Sequence, residues 1–177
     1  MTAVADLRCR AAVAADVDQI VALVESAYRG DSSRAGWTTE ADLLDGQRTD
    51  REDVSGLVAA AGSQIVLMHV DDALVACAHI QRHDDWCYFG MFCVRPGLQR
   101  GGIGDAMLRE CERIAREQWG LRQLRMTVIW TREELIAWYL RRGYALTGER
   151  KPFPYGNARF GLPRRDDLEF IVLSRDL

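Results

Sequence analysis

The residues best suited to chemistry lie in one stretch, residues 93–105, which reads Cys-Val-Arg-Pro-Gly-Leu-Gln-Arg-Gly-Gly-Ile-Gly-Asp. Residues 86–92 before it are aromatic and apolar enough to form a buried strand. After it, apolar residues recur with a helical period, at Ile103, Met107, Cys111, Ile114 and Ala115. A strand, a glycine-rich turn and a helix N-terminus together form an anion site, because free backbone N–H groups converge there and the helix dipole adds partial positive charge. The stretch therefore predicts a phosphate-binding loop.

The composition of this loop favours phosphate but matches neither of two common motifs. Gly101, Gly102 and Gly104 carry no side chain to hold a phosphate off the backbone, and Arg100 adds a full positive charge. A dinucleotide fingerprint is excluded because the glycines read G-G-x-G and the next predicted strand, residues 124–130, has no acidic residue. A P-loop is excluded because Asp-Ala, not Lys-Ser/Thr, follows the last glycine. A tight turn without a ligand is the structural alternative.

The ordered string Val-x-Pro-x-x-Gln-x-x-Gly-x-Gly is present at Val94, Pro96, Gln99, Gly102 and Gly104. It resembles the acetyl-CoA pyrophosphate loop of the GNAT superfamily of N-acyltransferases. The resemblance implies acetyl-CoA as co-substrate and no metal. It also implies that backbone groups of Phe92, Cys93 and Val94 meet the thioester oxygen and the pantetheine amides. The implied loop contacts are Gln99, Arg100, Gly101, Gly102, Ile103, Gly104 and Asp105.

A second stretch, residues 137–144, reads AWYLRRGY and is similar to the family's helix ending in lYeklGF. The tyrosine of that helix approaches the CoA sulfur, and Tyr139 takes its position. With an unperturbed pKa of ~10, tyrosine is protonated at neutral pH and can donate a proton to a leaving thiolate. The resemblance therefore implies that Tyr139 is the catalytic acid. A purely structural aromatic beside Trp138 is the alternative.

The general base is left unassigned by the sequence. An alkylamine of pKa ~10.4 is only about one part in 10³ neutral at pH 7, a deficit of roughly 4 kcal/mol, so a base must take a proton or the site must disfavour the ammonium form. Family members often use a glutamate on the strand carrying Cys93 or on the next, but neither predicted strand has an acidic residue. His79, His83 and Glu40 are candidates, beside a chain of waters.

A further departure from the family pattern concerns the cofactor, and a histidine pair raises the question of a metal site. Many family members place a cofactor-contacting asparagine seven residues before the tyrosine, where this chain has Arg132, so that contact is not carried over. His79 and His83 have a metal-like spacing, but without Cys or carboxylate partners they predict ordinary strand and turn polarity.

Two loops are expected to face the acceptor. Residues 33–40 offer a cation in Arg34, an aromatic wall in Trp37 and a carboxylate in Glu40. Residues 151–160 form a stiff, aromatic-rich cover that carries Arg159. The positive charges of Arg34 and Arg159 are compatible with an acceptor that carries a carboxylate of its own. A helix cap and a connector filled by aromatics are the alternative roles of the two loops.

The elements around these residues predict an α+β fold. Strands are predicted at residues 7–12, 64–70, 73–81, 86–92, 124–130, 144–149 and 167–174. Helices are predicted from a capping box at Asp16–Gln19, as short segments through Leu44 and over 52–61, after the loop at 103, and from a capping box at Thr131–Glu134 to Gly143. This order gives a mixed, mainly antiparallel sheet and matches the GNAT fold over nearly the whole chain. In that fold, the strand carrying Cys93 and the next strand run parallel and splay apart. Gly90 is consistent with the bulge that opens the gap, or with room for a bulky neighbour.

Length and composition predict one domain over residues 1–177, with neither nucleic acid nor a membrane as partner. The net charge is −3, and no apolar run approaches the ~20 residues of a membrane span. Five cysteines without C-x-x-C spacing, at predicted buried positions, indicate a reduced, cytoplasmic protein. A homodimer is compatible with the sequence, which does not determine the oligomeric state.

The resulting hypothesis is an acetyl-CoA-dependent N-acetyltransferase that acts on an amine, more readily of a small molecule than of a protein. A non-catalytic acyl-CoA-binding module is the first alternative, because no base is assigned. A nucleotide-binding protein that uses the same glycine turn is the second.

Overall fold

The computed structural model describes residues 6–29, 33–34 and 39–177, with the side chain of Phe160 left out. The strands are β1 Leu7–Ala11, β2 Leu44–Asp45, β3 Ser63–Val70, β4 Ala73–Arg82, β5 Trp86–Val94, β6 Gln123–Ile129, β7 Ala145–Pro152, β8 Leu162–Pro163 and β9 Glu169–Asp176. The α-helices among the described residues are α1 Val17–Tyr28, α2 Arg51–Ala59, α3 Ile103–Arg113 and α4 Glu133–Leu140. A π-helical turn, Ile114–Gln118, continues α3. None of the helices in these ranges is long and apolar enough to cross a membrane.

Seven strands form the main sheet, in the order β1-β3-β4-β5-β6-β9-β7. Only β5 and β6 pair in parallel, and every other neighbouring pair is antiparallel. The predicted α+β class with a mixed, mainly antiparallel sheet is therefore confirmed. The two short strands β2 and β8 pair separately from this sheet.

Both faces of the sheet are covered, which follows from the alternation of side chains along its strands. In β3, Val66 and Met68 belong to the core shared with α3 and α4, whereas Ile65 and Leu67 belong to the core shared with α1 and α2. The central strands are therefore apolar at nearly every position, as the run of buried residues in β4 shows.

The sheet opens between β5 and β6. Residues 86–88 of β5 pair with residues 123–125 of β6, and the pairing ends there. On its other side, β6 stays paired with β9 as far as Ile129. Opposite this opening, β5 carries one residue more than β4, since Cys93 faces Cys77 but Gly90 faces His79. The expected parallel, splayed pair is thus present, with a β-bulge beside the opening.

Gly90 does not have the backbone role expected of it. The left-handed residue of the bulge is Met91, with φ 47°. A Cβ on Gly90 would lie 2.6 Å from Cζ of Tyr88, so the missing side chain makes room for the Tyr88 ring. Of the two roles that the sequence left open, accommodation of a bulky neighbour describes Gly90.

Neither predicted capping box forms. The Asp16 carboxylate accepts two hydrogen bonds from the Arg10 guanidinium, both 2.7 Å, and one from the Val13 N–H, while Gln19 donates to it through its side-chain amide. A charge-assisted pair with a neighbouring strand outcompetes a local cap. At α4 the N-cap residue is Arg132, without a side-chain cap, and Thr131 Oγ1 is buried with no partner among the described residues.

Two other predictions need correction. The helical segments predicted through Leu44 end instead in strand β2, because Leu44 and Asp45 pair with residues 162–163, far along the chain. The segment predicted as irregular from residue 151 contains the end of β7 and strand β8. Residues 30–32 and 35–37 of the predicted 30–37 loop lie outside the described residues.

Candidate active site

The bulge region of β5 presents backbone groups to the opening between β5 and β6. The Arg95 N–H donates to the Val75 carbonyl at 2.7 Å, and Cys93 lies opposite Cys77. Because backbone groups alternate in direction along an antiparallel strand, those of Cys93 point to β4, whereas those of Phe92 and Val94 point into the opening. Of the three predicted backbone contacts, the geometry therefore directs two toward the gap.

Two side chains already bind the carbonyls of these residues. The Tyr28 hydroxyl donates to the Phe92 carbonyl, and the Gln99 side-chain amide donates to the Val94 carbonyl at 3.2 Å. The N–H groups of Phe92 and Val94 are left as the donors directed into the gap. Such donors suit the developing charge on a thioester oxygen and the carbonyls of an extended pantetheine chain.

The predicted phosphate loop connects β5 to α3 and borders a cavity of about 270 Å³. Gly102 is the N-cap residue of α3 and has a left-handed backbone, φ 78°, which glycine adopts without strain. Gly104 has a packing role, since a Cβ there would lie 3.2 Å from Cζ of Phe92. Gly101 is exposed and has ordinary φ, with only the Leu98 carbonyl nearby at 3.6 Å.

The other loop residues have distinct placements. Arg100 is exposed and lines the 270 Å³ cavity together with Gln99. The side chain of Ile103 is buried in the core, so only its backbone is available to a ligand. Asp105, in the first turn of α3, pairs with Arg142 and Arg109 at 3.0 Å each. Its carboxylate therefore ties the turn after α4 to the first turn of α3.

The sequence reading missed two residues of this cavity, Trp138 and Arg142. The Arg142 guanidinium stacks 3.6 Å from the Trp138 ring centroid, and it donates to Asp105 and to the Trp138 carbonyl. Both residues line the phosphate-loop cavity. Trp138 lies in α4 and Arg142 in the turn that follows it, and their i, i+4 spacing could have paired them, because residues at that spacing meet on a helix surface.

Tyr139 is buried and lies on the wall of a second, larger cavity of about 650 Å³. Its ring makes edge contacts with Phe89, Trp138 and Tyr144. Burial raises the pKa of Tyr139 well above its usual value. The hydroxyl is therefore protonated at physiological pH. A catalytic proton donor and a core tyrosine would both be protonated, so this pKa does not distinguish the two roles.

The larger cavity, called the acceptor cavity below, lies on the other side of the bulge from the phosphate loop. Its walls come from the ends of α1 and α4, the open edges of β5 and β6, and the segments at 40–53 and 153–159. Phe92 lines both this cavity and the phosphate-loop cavity. Phe92 thus stands between two cavities, one suited to phosphate and one to a second ligand.

Arginines dominate the polar wall of the acceptor cavity. Arg29, Arg48, Arg132 and Arg159 line it, against the carboxylates of Glu40 and Asp53 among the described residues. Glu40 is buried and accepts from Arg29 at 2.5 Å and from Arg132 at 3.2 Å. Burial by itself would raise the pKa of Glu40, but the charges of Arg132, Arg48 and Arg29 outweigh it and lower that pKa. Glu40 is therefore an ion-pair partner and a poor general base.

Neither of the other candidate bases is well suited to the role. His79 lines the acceptor cavity, but burial lowers its pKa to about 4. Ser63 donates its one proton to the Leu57 carbonyl at 2.7 Å, so it accepts from His79 Nε2 at 2.9 Å, which leaves Nδ1 as the unprotonated nitrogen. His83 stacks on Trp86 in the turn before β5, at the end of the strand remote from the bulge. The described residues contain no cluster of three or more His, Cys, Asp and Glu side chains that could hold a metal ion.

The residues predicted to bind the acceptor separate in space. Glu40 and Arg159 line the acceptor cavity, whereas Arg34 pairs with Asp42 at 2.7 Å near the surface and is not on the cavity wall. Trp37 lies outside the described residues. Four residues that were not predicted also line the cavity: Tyr28, Arg29, Arg48 and Tyr88. No local sequence pattern marks them as site residues, because they belong to segments that meet only in the folded chain.

Solved structures of acetyltransferases share the fold of this chain. The ribosomal-protein-S18-alanine N-acetyltransferase from Escherichia coli is 14% identical, with a TM-score of 0.69 over 96% of this chain and 93% of that one. An N-acetyltransferase from Staphylococcus aureus Mu50 is 10% identical, with a TM-score of 0.71 over 96% and 97%. Mutant forms of the spermidine/spermine N-acetyltransferase SpeG from Vibrio cholerae are 11% identical, with a TM-score of 0.66 over 97% and 95%. A search of curated proteins gave no match.

These structural similarities establish the shared fold. The named acceptors of two of these neighbours, a ribosomal protein and a polyamine, differ widely. Family membership follows from the sequence itself, because the family model described as Acetyltransferase (GNAT) family matches residues 17–144, which span the phosphate loop and Tyr139. The chain therefore belongs to the GNAT family of acetyltransferases.

Proposed function

We propose that this protein transfers the acetyl group of acetyl-CoA to a primary amine of a small molecule, by direct attack on the thioester. The observation that carries the proposal is the position of Phe92, on the wall shared by the phosphate-loop cavity and the acceptor cavity. A thioester lying along the β5 bulge would have its phosphates on one side of Phe92 and the amine on the other. The five free cysteines suit a reducing compartment, and we place the reaction in the cytoplasm.

In the proposed reaction, the amine lone pair forms a bond to the thioester carbon and the carbon–sulfur bond then breaks. The N–H groups of Phe92 and Val94 are suited to stabilise the negative charge on the carbonyl oxygen. Tyr139 gives its proton to the departing thiolate, and the phenolate regains a proton from the attacking nitrogen through water. The products are the N-acetyl compound and CoA.

The arginines of the acceptor cavity reduce the need for a strong general base. A cation close to an amine disfavours the ammonium form and lowers the pKa of the amine. Arg159 is paired with Asp50 and Asp53, but Arg29, Arg48 and Arg132 share the carboxylate of Glu40 on the described wall, which favours a positive potential in this part of the cavity. A weak proton acceptor such as water, or Nδ1 of His79, can then remove the proton.

A small acceptor is favoured by the shape of the site. The cavity holds about 650 Å³, within the range of about 300–1,000 Å³ typical of small-molecule sites. The polyamine named for the Vibrio cholerae neighbour is a poor candidate here, because a polycation would meet the excess of arginines.

The test combines binding and turnover. Titration calorimetry with acetyl-CoA, followed by CoA release measured across a panel of primary amines, should show binding and then turnover with at least one amine. Tight acetyl-CoA binding without CoA release from any amine would favour the non-catalytic acyl-CoA-binding module, which the lack of a strong base supports. Absence of acetyl-CoA binding by the folded protein would refute both.

A further inference from the structure

The Arg29 guanidinium is buried with an incomplete set of hydrogen bonds. Its side chain is 5% exposed, and Nη1 donates to Glu40. Among the described residues, Nε and Nη2 of Arg29 have no acceptor. A guanidinium has five N–H donors in a fixed fork, and buried donors without acceptors are costly. A ligand that carries a hydrogen-bond acceptor could therefore satisfy Nε and Nη2 of Arg29.

The surroundings of Arg29 show that this arrangement is built into the fold. Gly161 has φ 96°, and a Cβ there would lie 3.0 Å from Nη2 of Arg29, so a glycine makes room for the guanidinium. Arg29 directly follows α1, whose last residue, Tyr28, is bonded to the Phe92 carbonyl. Arg29 thus lines the same cavity as Tyr28 and the bulge residue Phe92.

Arg48 and Arg132 add charge to the same wall. The Arg48 guanidinium lies 5.2 Å from the centroid of the Tyr28 ring, and that of Arg132 lies 5.8 Å from it. Among the described residues, the Glu40 carboxylate pairs with two of these guanidiniums, through Oε2 with Arg29 and through Oε1 with Arg132. A bound anion would be attracted by the guanidinium of Arg48, which also lines this cavity.

We infer that the acceptor is an aminocarboxylate: a small molecule whose amine is acetylated and whose carboxylate is bound by Arg29 and Arg48. This inference rests on the proposed function and adds the chemical class of the acceptor. A carboxylate suits the guanidinium fork, because two parallel N–H···O bonds can form.

The experiment uses product analogues, so that binding is measured without turnover. In the presence of CoA and in low-chloride buffer, calorimetry compares the N-acetyl derivatives of glycine, β-alanine, 4-aminobutyrate, methionine and phenylalanine with their primary amides. We expect at least one carboxylate to bind tenfold or more tightly than its amide. Equal affinity within all five pairs would overturn the inference.

Three variants locate the carboxylate. Arg29→Lys keeps the charge but loses the fork, and Arg48→Gln removes a charge from a partly exposed side chain, so at least one of them should fold. Each folded variant should lose most of the preference for carboxylate over amide. Arg116→Gln, an exposed change on the π-helical turn, should retain it. An unchanged preference in Arg29→Lys and Arg48→Gln would refute the assignment.

Failure of the proposed function would look different. Binding of a carboxylate with no CoA release from any amine would count against acetyl transfer and leave the anion site standing. Acetylation of amines with no preference for aminocarboxylates over the matching amides would support transfer and refute the anion site.

Discussion

The Tyr28 hydroxyl donates a hydrogen bond to the backbone carbonyl of Phe92, so the last residue of α1 is tied to the bulge of β5. The two residues are 64 positions apart in the sequence. Burial raises the pKa of Tyr28 well above its usual value, which keeps the hydroxyl protonated and able to donate. This bond connects the acceptor cavity to the proposed thioester site.

Tyr28→Phe should therefore affect both stability and turnover. Loss of the buried bond leaves the Phe92 carbonyl without this donor and should cost about 1–3 kcal/mol in the free energy of unfolding. Turnover should fall more than acetyl-CoA affinity, because the bulge rather than the phosphate loop loses support. Urea denaturation and steady-state kinetics measure the two effects.

The matched control is Tyr155→Phe. Tyr155 is exposed, and its hydroxyl donates to the Arg165 carbonyl and accepts from the Leu168 N–H. Water can replace these bonds, so the cost should stay below about 1 kcal/mol and turnover should not change. Similar losses in the two variants would contradict a specific role for Tyr28.

Tyr139→Phe should separate catalysis from packing. If Tyr139 protonates the leaving thiolate, turnover should fall by ~10²-fold or more, while acetyl-CoA binding and stability change little. A thioester of a more acidic thiol needs less help and should partly restore the rate.

Tyr144→Phe is the control for Tyr139→Phe. Tyr144 is also buried, and its hydroxyl donates to Glu112 at 2.8 Å. We expect Tyr144→Phe to lower the melting temperature and leave kcat nearly unchanged, the reverse of the pattern for Tyr139→Phe. Full turnover in Tyr139→Phe would make Tyr139 a structural aromatic.

The phosphate loop is best tested at Gly101. Substitution of Gly102 is strained by its positive φ, and a side chain at Gly104 would press on Phe92, so either change would disturb the fold as well as the ligand. Gly101→Val adds bulk at an exposed position and should weaken acetyl-CoA binding at least tenfold, ~1.4 kcal/mol, by calorimetry. Gly56→Val, in open space on α2, should leave the affinity unchanged. Unaltered affinity in folded Gly101→Val would remove the loop from the binding site.

The lowered pKa of His79 predicts that the free energy of unfolding depends on pH. Its pKa is about 4 in the folded protein and 6.5 without the fold, so the unfolded chain binds the extra proton first as pH falls. The stabilising contribution is complete above pH 6.5 and decreases as pH falls toward 4, by roughly 3 kcal/mol in total. In urea denaturation at pH 7, 6 and 5, the wild type should lose more stability than His79→Gln. Parallel curves for the two proteins would show that His79 does not titrate in this way.

Local sequence patterns predicted most of the elements. The hairpin predicted at 64–70 and 73–81 corresponds to β3 and β4, and the strand and helix on either side of the phosphate loop are β5 and α3. The capping boxes failed because Asp16 found a stronger partner in Arg10, and because the helix after Thr131 begins one residue later than the pattern indicates. Side-chain spacing shows which residues could form a cap. It does not show a competing partner from another element, such as Arg10 of β1 for Asp16.

The sequence by itself determined the fold class, the family and the strand, glycine-rich turn and helix of residues 86–113, because each depends on contiguous residues whose period or spacing has a local physical cause. The tertiary structure alone decided the composition of the acceptor cavity. Glu40 meets Arg132 across 92 positions, and Arg29, which follows α1, and Arg48, which precedes α2, line the same cavity. No local period encodes such a cluster, because its energy arises from charges that are brought together only when the sheet and helices pack.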